Sequence, residues 1–220
     1  GIKVLVAKGE LLPEFDVHAP LLSLPGIFGT TLDTIPASVP YLAANQELIA
    51  AWRDRMGGGR ETFKVGVAWA GNPTQGNNRN RSASPSLLAP LGKVAGATFY
   101  SLQKGEGGKQ AAAPSEGMTL IDLTTGFSDF AETAALMSNL DLVITVDTAV
   151  AHLAGAIGKP VWTLLTFAPD WRWLLKREDC PWYPTMRLFR QKRPGDWPGV
   201  VARAAGALQE MVRVGRVSVR

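Results

Sequence analysis

The sequence has a single cysteine, Cys180, and only two histidines, His18 and His152, in 220 residues. A lone cysteine excludes an intrachain disulfide, and with so few thiols and imidazoles the ligand spacings of structural zinc sites are absent, so no metal site is expected. Long apolar runs are missing too: none approaches the roughly 18 consecutive residues a membrane span needs, and no transmembrane segment is expected. The opening Gly1-Ile2-Lys3-Val4-Leu5-Val6 lacks the small-residue cleavage site of a signal peptide, which makes the cytoplasm the default location. Charge of one sign is scarce as well. The net charge of +4 and pI near 9.4 come from scattered basic residues, which predicts no nucleic-acid partner and only a mild preference for phosphates. No internal repeat, heptad or low-complexity tract is present.

What remains is a chain that is 46% hydrophobic and long enough for one full domain plus part of another. Residues 1–40 read as two short strands, around Lys3–Ala7 and within Phe15–Pro25, and a long loop. Tyr41–Met56 has helical spacing at Leu42, Leu48, Ile49 and Trp52 and runs into Gly57-Gly58-Gly59, the expected boundary. Residues 1–56 are therefore expected to be the tail of one domain plus a linker helix, and 57–220 a second domain. Within 57–220 strands alternate with helices. Strands are expected over Phe63–Ala70, Thr98–Gln103, Met118–Leu123, Leu142–Val146, Pro160–Phe167 and Met186–Phe189. Helices are expected around Ser86–Val94, over Ser128–Leu140 with Ser128 as cap and Phe130, Ala134, Met137 and Leu140 on one face, over Thr148–Ile157, and as a closing amphipathic helix through Val200–Val212. Continuous apolar strands alternating with helices predict an α/β fold, a Rossmann-like doubly wound parallel sheet covered on both faces. Ligands of such sheets bind at the carboxyl ends of the strands.

Three polar loops follow expected strands. At Val146-Asp147-Thr148-Ala149-Val150-Ala151-His152 a buried strand runs straight into a helix whose first-turn amides and dipole can hold a diphosphate without a lysine, while the Thr148 hydroxyl adds a donor. Small Ala149 lets the phosphate approach, and His152 shares the face of Thr148. The alternative is that Asp147 merely caps the helix and His152 is a satisfied buried histidine. The loop Gly71-Asn72-Pro73-Thr74-Gln75-Gly76-Asn77-Asn78-Arg79-Asn80-Arg81-Ser82 places Arg79 or Arg81 as a clamp on a departing diphosphate, or is a solvated turn with surface arginines. Ser101-Leu102-Gln103-Lys104-Gly105 would set Gln103 and Lys104 against a base or ribose. Trp171, Trp173, Trp182 and Tyr183 read as packing on the sheet rather than as a sugar platform, and Arg187, Arg190, Lys192 and Arg193 as a solvated basic edge.

Asp147-Thr148-Ala149-Val150-Ala151-His152-Leu153-Ala154 resembles the Asp-Thr-Gly-x-x-His-(Leu/Ile)-Ala signature of glycosyltransferase family 9, the heptosyltransferases. Phe15–Pro25, Val67–Pro73, Asn78–Ser82, Tyr100–Gly105 and Pro169–Leu174 are similar to bacterial proteins that join tetratricopeptide repeats to a glycosyltransferase module and are often compared with O-linked N-acetylglucosamine transferases. The resemblance implies the carboxyl-terminal domain of a GT-B architecture, preceded by a remnant of the acceptor-side domain, with upstream repeats in the full-length protein. It implies a nucleoside-diphosphate sugar as donor substrate with no other cofactor, and a hydroxyl acceptor on a glycan or protein. By the same resemblance the donor contacts are Asn72, Arg79, Arg81, Ser101, Gln103, Lys104, Asp147, Thr148, Ala149, Val150 and His152, with Arg81 and His152 catalytic. Ala149 departs from the family glycine and requires a negative φ. Two rivals remain: a dinucleotide oxidoreductase, which lacks its Gly-x-Gly-x-x-Gly fingerprint here, and a non-catalytic module derived from a glycosyltransferase.

Overall fold

A computed structural model describes residues 3–57, 62–112 and 117–217. The chain divides into two compact units, residues 1–36 and 37–220. The first holds 3-10 turns at Leu21–Ser23 and Leu32–Thr34 and a short helix α1 (Leu24–Ile27). The two strands expected here are absent from its described residues: Leu5, Leu11 and Val17 are exposed, and no ladder partner satisfies their backbone. The helix expected to precede a boundary near residue 56, α2 (Gln46–Arg55), lies in the second unit, where it packs on α5 (Phe130–Ser138). Of the Gly57–Gly59 linker reading, Gly58 and Gly59 fall outside the described residues.

The second unit is a six-stranded, wholly parallel sheet in the order β3-β2-β1-β4-β5-β6, from β1 (Phe63–Ala68), β2 (Ala97–Ser101), β3 (Leu120–Asp122), β4 (Leu142–Val146), β5 (Val161–Leu165) and β6 (Met186–Arg190). Strands β4 and β5 are buried at every residue, as continuous apolar runs require when both faces are covered. Val65, Val67, Leu142, Ile144 and Leu164 face one layer, formed by α4 (Ala89–Gly92), a 3-10 turn at Pro85–Leu88 and α7 (Trp197–Val217). Val143, Val161 and Leu165 face the other, formed by α2, α5 and α6 (Ala149–Ala156). A short α3 (Asn78–Arg81) lies in the loop after β1. No described helix is long and apolar enough to cross a membrane.

Helix α5 is capped by Asp129, whose carboxylate accepts from the Ala131 and Glu132 amides at 2.8 and 3.0 Å; Ser128, the expected cap, stands one residue too early. Phe130, expected on the buried face, is exposed at the first position of the helix, where it lines the cleft described below.

Chain order reverses between β1 and β4, the switch point at which a doubly wound sheet opens a crevice beyond its carboxyl edge. One glycine keeps the second layer close to that crevice. A Cβ on Gly155 of α6 would intrude on the Tyr183 ring at Cγ and Cδ1, so the ring lies flat on the helix only because no side chain is there. Gly155→Ala should destabilise the protein by about 1 to 3 kcal/mol through overpacking, measured by urea denaturation; an unchanged midpoint would show that Tyr183 is free to move.

Candidate functional site

A cleft of about 1300 Å³ opens over the switch point. Its walls are Ala68 at the end of β1 with Gly71, Asn72 and Arg81 after it, Leu102–Gly107 after β2, and Asp147–Val150 with His152 after β4, joined by the α5 cap Asp129 with Phe130 and Thr133 and by Asp170 and Arg172 after β5. The junction at Asp147 thus faces the same space as Arg81 and Gln103.

Thr148 is the N-cap of α6: its Oγ1 accepts from the Val150 amide at 3.3 Å. The amides of Thr148 and Ala149 meet no acceptor among the described residues, which leaves donors at the positive end of the dipole on the cleft wall. The Thr148 hydroxyl is less free than expected. Thr145 donates to the Val146 carbonyl at 2.9 Å, so the 3.2 Å contact between Thr145 and Thr148 takes the Thr148 proton. Ala149 keeps a negative φ, since Leu174 and Lys176 are the non-glycine residues of positive φ among those described, and a glycine is unnecessary there.

The loop after β1 is knit to its base. Ala83 donates to the Trp69 carbonyl at 2.8 Å, Gly71 donates to Ser82 Oγ at 3.1 Å, and Ser82 donates to Asn78 Oδ1 at 2.9 Å. A Cβ on Gly71 would lie 2.7 Å from both Arg81 Nη2 and Asn78 Oδ1, so the guanidinium is packed over bare backbone. Arg81 lines the cleft, and its buried Nε has no acceptor among the described residues. Arg79 is exposed and off the cleft wall. Asn72 lines the cleft, but its Oδ1 is held by the Thr74 amide and hydroxyl at 3.0 and 2.9 Å.

The residues after β2 differ most from the reading of the sequence. Ser101 is fully buried and does not line the cleft. Gln103, 6% exposed, spends its amide on backbone: Oε1 accepts from Trp69 and Ala70 at 2.9 and 2.8 Å, and Nε2 donates to the Ala70 and Lys104 carbonyls at 3.0 and 3.1 Å. It is a strut that ties the β2 exit to the β1 exit, with nothing left to read a base. Lys104 donates to the Phe127 carbonyl and lies over the Phe127 ring.

His152 is half-buried, stacked on Trp173 with ring centroids 5.2 Å apart, and its Nδ1 lies 3.1 Å from the Tyr183 hydroxyl, which also meets Tyr41 at 3.3 Å. Burial holds the Tyr183 phenol well above its ordinary range. The other ring nitrogen, Nε2, has no partner among the described residues. Burial pushes the His152 pKa below the usual imidazole value, against the Asp147 carboxylate, which raises it. The aromatic segment is thus mainly packing: Trp173 and Tyr183 are buried, whereas Trp171 is exposed.

Sequence reasoning missed Asp170 and Arg172. Asp170 Oδ1 accepts from Arg172 Nη1 at 2.6 Å, and the pair closes the cleft on the β5 side. The signal was present, a charged pair just beyond a strand's carboxyl end. Of the lining carboxylates, Asp129 caps α5, Glu106 pairs with Lys109 and Asp170 with Arg172, while the Asp147 side chain has no hydrogen bond or ion pair among the described residues. No group of three or more His, Cys, Asp or Glu side chains that could hold a metal occurs among the described residues.

Residues 110–204 match the family model of glycosyltransferase family 9 (heptosyltransferase). Over 190 residues the chain is 30% identical to Protein FlbA of Caulobacter vibrioides, covering 82% of this chain and 30% of that protein. Two solved structures share the fold, each with a TM-score of 0.56 and 15% identity. They are the ADP-heptose LPS heptosyltransferase II of E. coli, with 83% of this chain on 57% of that one, and a family 9 glycosyl transferase from Veillonella parvula, with 77% on 47%. The chain therefore spans less than two thirds of each, and its fold is the Rossmann-like, GT-B-type fold of heptosyltransferase structures.

The low His152 pKa sets a pH dependence. Between the folded value and the ordinary value of about 6.5 the unfolded chain binds more protons, so this contribution to stability is lost as pH falls through that window. The melting temperature of the wild type should fall more steeply between about pH 7 and pH 5 than that of His152→Gln; equal slopes would show that burial does not hold the ring neutral.

Proposed function

We propose that residues 37–220 are the donor-binding half of a glycosyltransferase that moves a sugar from a nucleoside diphosphate to a hydroxyl. The observation that carries this reading is the convergence, on one cleft at the switch point, of the unpaired Thr148 and Ala149 amides with the Arg81 guanidinium. A diphosphate lying across the start of α6 would take the free amides on one phosphate and Arg81 on the other. Arg172 would give up part of its pairing with Asp170 to approach it, and Asp147 would accept from a ribose or sugar hydroxyl. With its proton on Nε2, His152 would donate one neutral hydrogen bond.

In the reaction, the acceptor hydroxyl oxygen bonds to the anomeric carbon as the bond from that carbon to the diphosphate oxygen breaks, its electron pair leaving with the diphosphate. The hydroxyl proton passes to a base, which we place with the acceptor in an additional half beyond this chain. The match to a heptosyltransferase family model and the coverage of about half of two glycosyltransferase structures support that division. The same coverage keeps a second reading in view, a module that binds nucleotide without turnover.

Isothermal titration with ADP, UDP and GDP tests the binding step: at least one should bind, and binding of none would contradict the donor-site reading. With the acceptor half supplied, Arg81→Ala should lower the transfer rate about 100-fold while weakening nucleoside diphosphate binding much less. Equal losses would argue against a leaving-group role. Binding without transfer or donor hydrolysis, in the same preparation, would favour the non-catalytic module.

A further inference from the structure

The charged segment after β5 and the exposed edge of the sheet form a second concavity, of about 570 Å³, lined by Lys176, Arg177, Glu178, Arg187, Arg190, Lys192 and Arg203 together with apolar and glycine residues of β6 and α7. Six cations and one carboxylate face it, in a chain whose net charge is only +4. Arg187, Lys192 and Arg193 are exposed, as a solvated edge requires, but Arg190 is half-buried, and Arg203 of α7 and Lys176 from the segment before β6 join Arg187, Arg190 and Lys192 around one concavity that Arg193 does not line.

The cations are held in unequal ways. Arg187 pairs with Glu178 at 3.0 Å, and Arg177 pairs with Asp179. Arg190 is fastened by backbone, its Nε donating to the Arg177 carbonyl at 3.1 Å and its Nη2 to the Trp173 carbonyl, which leaves Nη1 buried with no acceptor. Burial lowers its pKa from the ordinary guanidinium value, the response of a cation short of anionic company. Arg203 donates to the Arg190 carbonyl. Lys176 and Lys192 are exposed and have no ion pair among the described residues. Like charges gathered in one concavity repel each other, and a bound polyanion removes that cost.

We infer that this concavity between β6 and the segment 176–178 is a second anion site, for a ligand carrying clustered phosphate groups, separate from the switch-point cleft. The phosphates would sit between Lys176, Lys192 and Arg203. Arg190 links the two places: it grips the carbonyl of Trp173, on whose ring His152 stacks.

The test uses tripolyphosphate as the probe for a soluble ligand and phosphatidylglycerol vesicles for phosphates carried on a membrane. Tripolyphosphate should bind in isothermal titration with ADP present at saturation, and K176E/K192E should weaken it by on the order of tenfold or more. Both lysines are exposed, and an unchanged circular dichroism melt shows that the variant folds. Sedimentation of the wild type, but not the variant, with phosphatidylglycerol vesicles and not with phosphatidylcholine would place the phosphates on a bilayer; tripolyphosphate binding without sedimentation would place them on a soluble ligand. Tripolyphosphate binding that ADP abolishes, that the double variant retains in full, or that does not occur would overturn the site.

Discussion

The start of α6 cannot satisfy its own first amides, and the arrangement of the cleft follows from where that start is held. β4 is the strand at which chain order reverses, it is buried along its whole length, and it delivers Asp147 and Thr148 to the open end of the sheet within two residues of its last ladder position. The Thr148 and Ala149 amides meet no acceptor among the described residues, and both residues line the cleft. The neighbouring elements are arranged to keep it open: Gln103 binds the β2 exit to the β1 exit, and bare Gly71 allows Arg81 to lie against the backbone. The result is a small set of donors oriented before any ligand arrives, the condition under which electrostatic stabilisation of a leaving group costs no reorganisation.

The same economy sets the surroundings of His152. Gly155 lets Tyr183 lie on α6, Tyr183 meets Nδ1, and Trp173 covers the ring face. Burial in this setting pushes the imidazole toward its neutral form, and the Tyr183 contact at Nδ1 fixes its orientation. The segment between β5 and β6 therefore does two things. On one side it lines the switch-point cleft through Asp170 and Arg172, and on the other it forms the rim of the basic concavity through Lys176 and Arg177.

Much of the fold was legible because it is written in local terms. Continuous β-branched runs such as Leu142–Val146 have no stable place except between two helical layers, and the strand-cap-helix transition at Thr148 needs only its own neighbours. The roles of individual side chains were less legible, since they depend on partners far along the chain. Gln103 follows a strand as a ligand-reading residue would, yet the Trp69 and Ala70 backbone 33 to 34 residues away claims its amide. Ser101 alternates inward, and Arg79 and Arg81, two residues apart, point to different surroundings. In residues 3–36 the apolar run Val4–Ala7 forms no strand for the opposite reason: such a run becomes one only where another strand supplies the ladder.

Amide chemical-shift mapping during titration with ADP, UDP or GDP shows whether the amides opening α6 take a diphosphate. The largest shifts are expected at Thr148, Ala149 and Val150, with the Arg81 Nε signal perturbed alongside them. Saturable binding whose shifts leave those residues in place and fall instead around Arg187–Lys192 would overturn the donor-site reading.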